Sequence, residues 1–303
     1  MKIQLKKAEL LIIDADYICH RAYHAYTNPM TPASILKTRS GILSGVFFGF
    51  FSLLLRKIEE YDPTIVAVAW GDQRDNLWRK DVLPTYKHGR SIMPDEFRSQ
   101  IEDIKLALCA LPVDQYFSPR YEADDIIAKL VQVAKEVGKK GVYIATRDKD
   151  MFQLVDSTTT VLNLGVKANV RDEEFTPDKV EEKFGVGPEL IADYLSLIGD
   201  TADGIDGVKG IGPKTAVDIL KKNGPIKTWY CSIPSINASE KVKSSLWEAR
   251  EQLYINKRVI SLKNAMYKIE LQTIFYDVDL KFCTELFDKY QMQKIRPENF
   301  ITK

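Results

Sequence analysis

Apolar residues in this chain come in two rhythms. Short runs rich in Leu, Ile and Val are each closed by carboxylates: "ELLIID" ends at Asp14, "TIVAVAWGD" at Asp72, and "KGVYIATRDKD" runs into Asp148 and Asp150. Runs of this kind mark strands buried on both faces. Between them the spacing becomes helical. Residues 43–61 are predicted as a buried helix, "PDEFRSQIEDIKLALCAL" opens on the proline and acids that favour a first turn, and residues 122–138 form an amphipathic helix behind Glu122, Asp124 and Asp125. Strands alternating with helices predict an α/β fold, a central, mainly parallel sheet flanked by helices. From about residue 177 strand runs become rare, and "TPDKVEEKF", "PELIADYLSLIG" and "PKTAVDILKKNG" predict a helical C-terminal region.

Composition narrows the class. The 303 residues are 45% hydrophobic and 28% charged, enough for a sizeable core, and the formal net charge of +1 gives no global basic signal. Cys19, Cys109, Cys231 and Cys283 are scattered and form no CxxC pair, which indicates reduced thiols and a cytoplasmic protein. His20, His24 and His88 lack metal-ligand spacing. The most apolar run, residues 41–55, is shorter than the ~20 residues a membrane span needs. The N-terminus lacks a small-residue cleavage site, so neither a signal peptide nor a membrane partner is expected.

Charge patterning adds the chemistry. Ligands of open α/β sheets gather at the carboxyl ends of the strands, where Asp14, Asp72 and Asp148 stand. Three acids in the stretch "EADD" exceed what a helix dipole asks for, and like charges at short range raise one another's pKa. Convergent carboxylates call for positive charge among them. Mg²⁺ is suited to this, and two such ions ~3.5–4 Å apart stabilise both attacking and leaving oxygens of a phosphodiester. Further along, "GDTADGIDGVKGIGPKTA" carries Asp200 and Asp203 and then a glycine-rich loop, followed by a helix start that forms an anion site flanked by Lys209 and Lys214. Residues 74–90 hold Arg74, Arg79, Lys80, Lys87 and Arg90 against Asp75 and Asp81, a local +3, with Trp78 and Tyr86 interleaved. Cations with aromatics suit phosphates and bases.

Together "LIIDADYICHRAYHA", "WGDQRDNLWRKDVLPTYKHGR", "YEADDIIA", "ATRDKDMFQL" and "GDTADGIDGVKGIGPKTA" stand in the order found in the 5′-nuclease family, which the chain resembles from about residue 9 to 220. That family includes the nuclease domain of bacterial DNA polymerase I and stand-alone phage 5′-exonucleases and flap endonucleases. The resemblance implies an α/β nuclease core at 1–185 with an arch region at about 74–110. It implies a helical DNA-binding region at 186–303 with a helix-hairpin-helix at about 188–223. It implies a metal-dependent 5′-3′ exonuclease and flap endonuclease using two Mg²⁺ or Mn²⁺, with Asp14, Asp72, Glu122, Asp124, Asp125, Asp148, Asp150, Asp200 and Asp203 as metal-site acids. Arg21 matches a basic residue near the scissile phosphate, and Lys87 and Arg90 the basic pair of the arch, preceded by Tyr86. Val208, Lys209, Gly210, Ile211, Gly212, Lys214 and Thr215 match the loop that grips duplex phosphates, often with K⁺ on backbone carbonyls. The implied partners are DNA with 5′ ends, flaps or nicks, RNA-primed ends included, and a replicative polymerase; the protein is expected to be a monomer in the cytoplasm, the host's if phage-encoded.

Three positions depart from the family pattern: Ala15 and Gly204 replace the usual glycine and asparagine, and Leu195 stands where relatives carry a basic residue. Asp16 is an extra acid, expected at the surface. Two other readings compete. A branched-DNA-binding relative without activity should have lost acids or arch cations. A phosphatase of the haloacid dehalogenase class would explain "DAD" but leaves "YEADD" and "GVKGIG" without a role.

Overall fold

The computed structural model describes residues 7–27, 35–72, 74–89, 93–165, 172–263 and 267–301. Strands β1 (Leu10–Asp14), β2 (Ile65–Ala69), β3 (Asp114–Phe117), β4 (Val142–Thr146) and β5 (Thr159–Asn163) pair in parallel, and β6 (Glu173–Phe175) runs antiparallel beside β5. A small separate ladder joins β7 (Gly199–Asp200) to β8 (Ile205–Asp206), and β9 (Gln272–Thr273) closes the main sheet antiparallel to β3. The seven-stranded order is β6-β5-β4-β1-β2-β3-β9.

Among the described residues up to 260 the α-helices are α1 (Ala15–Tyr26), α2 (Gly45–Tyr61), α3 (Arg79–Val82), α4 (Asp95–Cys109), α5 (Ala123–Glu136), α6 (Pro177–Phe184), α7 (Ile191–Ile198), α8 (Pro213–Asn223), α9 (Ile226–Trp229), α10 (Glu240–Glu248) and α11 (Arg250–Ile260). Every residue of β1 is buried, as its unbroken apolar run requires. Alternate side chains enter different layers. Leu11 and Ile13 join Phe47, Phe50, Phe51 and Leu54 of α2 and Ile104 and Leu108 of α4. Leu10 and Ile12 join Ile126, Ile127 and Leu130 of α5.

The chain passes from β1 to β2 on one side and returns through β4 on the other. The strand order therefore reverses at β1, and the crevice beyond β1 and β4 is where a doubly wound sheet holds its ligand. Asp14 closes β1, and Asp148 lies two residues past β4.

The C-terminal part is helical, as expected, and its tail comes back to the first layer. The helix Leu280–Lys289 brings Phe287 within 5.2 Å of the Phe47 ring and 4.7 Å of the Phe51 ring. Helix α4, within the range expected for the arch, lies between α2 and this helix, with Asp103 accepting from Tyr290 at 2.5 Å. It is part of the core layer. Among the described residues no helix is long and apolar enough to cross a membrane.

Candidate metal centre and nucleic-acid interface

Local hydrogen bonds aim the acids at the crevice. Asp14 caps α1 by accepting from the Tyr17 N–H at 3.1 Å, and its second oxygen accepts from the Thr146 hydroxyl at 2.6 Å. The same hydroxyl accepts from the Asp148 N–H at 3.1 Å, so one threonine at the end of β4 fixes both aspartates. Asp148 in turn accepts from the Asp150 N–H at 2.9 Å. Carboxylate oxygens of Asp124, Asp148 and Asp150 all lie within 4.8 Å of one another.

Crowding shows in the titration of these groups. Burial pushes Asp14 up to about 7, with Asp16 and Asp148 adding to the push. Burial, then the charge of Asp148, lifts Asp124 and Asp150 well above the usual carboxylate range, and Asp148 is raised chiefly by burial as well. Positive charge at their centre would relieve the repulsion. The oxygen-only donor set fits a hard divalent ion and gives soft metals no sulfur or imidazole.

The three acids of "EADD" do three different jobs. Asp124 belongs to the close triad. Asp125 is fully buried and turned away from it. Its two oxygens take the Arg79 guanidinium, one bond measuring 2.8 Å, and its Oδ2 also accepts from the Glu122 N–H at 3.1 Å. Asp125, expected among the metal-site acids, lies in this conformation in a buried ion pair that fixes the start of α5. Glu122 lies between the two environments. Burial alone would raise it, but Lys87 and Arg79 outweigh that and hold it at about 2.

Several cations of the basic stretch, read as suited to phosphates, are paired with acids in this conformation. Arg79 is buried, pairs with Asp125 and Glu122, and donates from Nε to the Val259 carbonyl of α11 at 2.8 Å. Lys80 pairs with Asp75 at 2.9 Å. The Lys87 ammonium bonds Glu122 and lies 3.7 Å from Asp203. Tyr86, expected among DNA-binding residues, is only 3% exposed, and its hydroxyl donates to Glu122 at 2.8 Å and reaches Asp203 at 3.2 Å. It offers no free ring face to a base in this conformation.

Asp203 and Asp200 approach from the β7–β8 ladder. Asp200 pairs with Lys149 at 3.0 Å, and both acids contribute to the raised state of Asp148 and Asp150. Gly204, the departure after Asp203, has φ 70°, a left-handed conformation open to glycine and tolerated by asparagine, so the change preserves the turn. Asp72 lies further out, where it accepts from the Arg120 N–H at 2.6 Å and the Asn76 amide at 2.7 Å. Arg21 donates to the Gly165 carbonyl beyond β5. Arg90 lies outside the described residues.

Two residues at the site escaped the sequence reading. Asp16 is not a surface acid: it is half-buried, accepts from the Gly71 N–H at 3.1 Å, and burial raises it to about 6. Asn256, fully buried on α11, donates to the Ser196 carbonyl at 3.0 Å and the Asp206 carbonyl at 2.7 Å, which ties β8 to α7. A polar residue on the apolar face Leu253, Val259, Ile260 was the available signal.

In the hairpin between α7 and α8, Val208 and Ile211 point inward and are buried, whereas Lys209, Gly210, Gly212 and Lys214 are exposed, and Thr215 is partly so. The Val208 N–H is bonded to the Leu197 carbonyl at 2.8 Å, which anchors the loop while its outer edge faces solvent. Leu195 is 1% exposed, in the core, so this position supplies no phosphate contact.

Comparison with known proteins accounts for this arrangement. Residues 9–185 match the family model for the 5′-3′ exonuclease N-terminal, resolvase-like domain, and residues 186–287 match its C-terminal SAM fold. The chain belongs to the 5′-3′ exonuclease family. It is 35% identical over 266 residues to DNA polymerase I of Lactococcus lactis, covering 88% of this chain and 30% of that protein. With DNA polymerase I of Bacillus caldotenax it shares 33% over 271 residues, covering 89% and 30%. The chain thus spans about a third of the length of these curated relatives. The fold is also that of the bacteriophage T5 flap endonuclease, solved as a pseudo-enzyme-product complex with DNA and metal ions, at TM-score 0.65 and 20% identity over 93% of this chain and 99% of that one. The catalytic core of Rad2 in complex with DNA matches at TM-score 0.59 and 14% identity, over 99% and 94%.

Proposed function

We propose that this 5′-3′ exonuclease family member hydrolyses DNA phosphodiesters as a metal-dependent 5′-3′ exonuclease and 5′-flap endonuclease, acting on 5′ ends, flaps and nicks, RNA-primed ends included. The observation that carries the reading is the triad Asp124, Asp148 and Asp150, with oxygens within 4.8 Å, at the switch point of the sheet. Asp14, Glu122, Asp200 and Asp203 surround it, and two Mg²⁺ or Mn²⁺ suit that many hard donors. The T5 5′-exonuclease has been solved with divalent metal ions, and that nuclease shares the fold.

Bound there, such ions supply Lewis acidity to the scissile phosphate and favour ionisation of a nearby water. The chain's own contributions are positional and electrostatic. Asp14 and Asp148 are oriented by Thr146. Lys87, once released from Glu122, is a cation beside the acids that stabilises charge developing on the phosphate. Lys209, Lys214 and the backbone N–H groups of the exposed loop edge hold duplex phosphates about the hairpin, with a K⁺ on its carbonyls. We infer that the protein works in the cytoplasm as a monomer beside a replicative polymerase, since its relatives in sequence include polymerases that carry a homologous segment.

The test is product sizing on a 5′-labelled flap substrate beside a blunt duplex, with Mg²⁺ and with excess EDTA. Mg²⁺-dependent release of a flap-length product supports the reading. Undiminished cleavage in EDTA, or flap binding with no cleavage in either Mg²⁺ or Mn²⁺, removes it.

A further inference from the structure

Three acid-bearing segments meet at one backbone amide. Past β2, the Trp70 N–H is held by the Tyr116 carbonyl at 2.9 Å and the Asp72 N–H by the Tyr121 carbonyl at 2.8 Å. Between them, the Gly71 N–H points the other way and is taken by Asp16 Oδ2 at 3.1 Å. No side chain fits at this position. A Cβ on Gly71 would lie 2.5 Å from that same Asp16 oxygen, 2.9 Å from the Ala123 nitrogen and 3.3 Å from the Glu122 Cα. Helix α1, the end of β2 and the start of α5 are thus in contact around the Asp16 carboxylate.

An acid in the first turn of α1 has an ordinary explanation, the helix dipole. The dipole asks only for a negative charge near the N-terminus. It does not ask for a carboxylate turned sideways onto the backbone of a different strand, in a space closed by a third element.

We propose that Asp16 is a positioning residue for the metal centre. By binding the Gly71 amide it sets the spacing between Asp14, two residues before it, Asp72, one residue beyond Gly71, and Glu122, whose Cα lies against the same glycine. This rests on the reading that Asp14 and Glu122 surround divalent ions, with Asp72 on their outer side. What Asp16 contributes is an acceptor of fixed reach, and its charge is secondary. Outer partners hydrogen-bonded to ligating side chains typically change metal affinity ~10–100-fold when lost, and Asp16 acts one step further out, through the backbone that carries the ligands.

Three substitutions separate reach from charge. Asp16→Asn keeps an acceptor oxygen at the same reach, Asp16→Ala removes it, and Asp16→Glu keeps the charge but adds a methylene, which changes the reach to the Gly71 N–H. The first measurement is Mn²⁺ binding to the DNA-free protein by calorimetry. The second is flap-DNA affinity in Ca²⁺ beside single-turnover cleavage in Mg²⁺. Asp16→Ala and Asp16→Glu are expected to bind Mn²⁺ ~10-fold or more weakly and to cut correspondingly slower, with DNA affinity within about twofold of wild type, while Asp16→Asn stays near wild type. Wild-type Mn²⁺ affinity in Asp16→Ala overturns the proposal and leaves the metal reading standing. So does an Asn variant that fails while Glu succeeds, a comparison that decides the matter even where Asp16→Ala does not fold. A wild-type protein that binds no Mn²⁺ removes the metal reading and this inference with it.

Discussion

Lys87 and Asp203 are joined twice: the Lys87 N–H donates to the Asp203 carbonyl at 3.0 Å, and the Lys87 ammonium lies 3.7 Å from the Asp203 carboxylate. With its bond to Glu122, this makes the lysine an internal counter-ion of the acidic crevice. Its φ of 54° is left-handed, a conformation a lysine keeps only where surroundings fix it.

An ammonium and a divalent ion compete for the same carboxylates. Lys87→Met should therefore raise the Mn²⁺ affinity of the DNA-free protein several-fold, yet lower single-turnover cleavage by on the order of 10²-fold through loss of a cation at the phosphate. Calorimetry and rapid quench read the two effects separately. Unchanged metal affinity would show that Lys87 does not compete with the ions. Cleavage at the wild-type rate under saturating enzyme would remove its catalytic role.

The raised acids predict a pH trend in the metal-free protein. Asp14 goes from 3.8 to about 7 and Asp16 from 3.8 to about 6 on folding. Over that window the folded state holds more protons than the unfolded chain, so these groups cost stability as pH rises. Glu122 works in the opposite sense, from 4.5 down to about 2, but its contribution is lost only as pH falls through that interval, below the scanned window. In EDTA the Tm should thus increase as the pH is lowered from about 8 to about 5.5. With saturating Mn²⁺ the rise should vanish, because the ion favours the ionised carboxylates. Scanning calorimetry at both conditions checks this, and a metal-free Tm that falls on acidification contradicts it.

What could be read from the sequence was what lay close along the chain. Asp14 and Asp148 were legible because each closes an apolar run, and a strand end in a parallel sheet is a defined place. The ion pair of Asp125 was not legible because its partner Arg79 lies 46 residues earlier, and nothing local separates a ligand from half of an ion pair. The same blindness made the 74–90 stretch look like a free basic patch, since Arg79 and Lys87 are answered by acids far along the chain. Helix α1 was passed over because its buried face is Ala15, Ile18, Cys19 and Ala22, small residues that make a weak apolar stripe. Strand β3 has four residues, "DQYF", too few to show a period. Asp16 looked like surface because its acceptor role depends on a glycine 55 residues away.

The Arg79–Asp125 pair gives a stability prediction. Both partners are nearly or fully buried, at 3% and 0% exposure, so removing Arg79 leaves Asp125 a buried charge without its ion-pair partner, and removing Asp125 leaves Arg79 with Glu122 alone. Arg79→Met and Asp125→Leu should each destabilise the protein by about 3–5 kcal/mol, while the double variant should lose much less than the sum. Urea denaturation in EDTA measures this without involving the metals. Additive losses would mean that the two side chains act independently and the bidentate contact contributes little.

The exposed loop after β8 gives the last prediction, on DNA affinity as distinct from chemistry. Lys209 and Lys214 are exposed on either side of Gly210 and Gly212, while Val208 and Ile211 anchor the loop inside. If the two lysines neutralise duplex phosphates, each releases about one condensed counter-ion on binding. The double variant Lys209→Ala, Lys214→Ala should then reduce the slope of log affinity against log salt by roughly 1.8, with duplex affinity lowered at every salt concentration and without sequence preference. Single-turnover cleavage at saturating enzyme should stay within a few-fold of wild type, because neither lysine touches the acidic crevice. Fluorescence anisotropy in Ca²⁺ across a salt series, beside cleavage in Mg²⁺, separates the two. An unchanged salt slope would mean that these lysines are solvated side chains and that the duplex is held elsewhere.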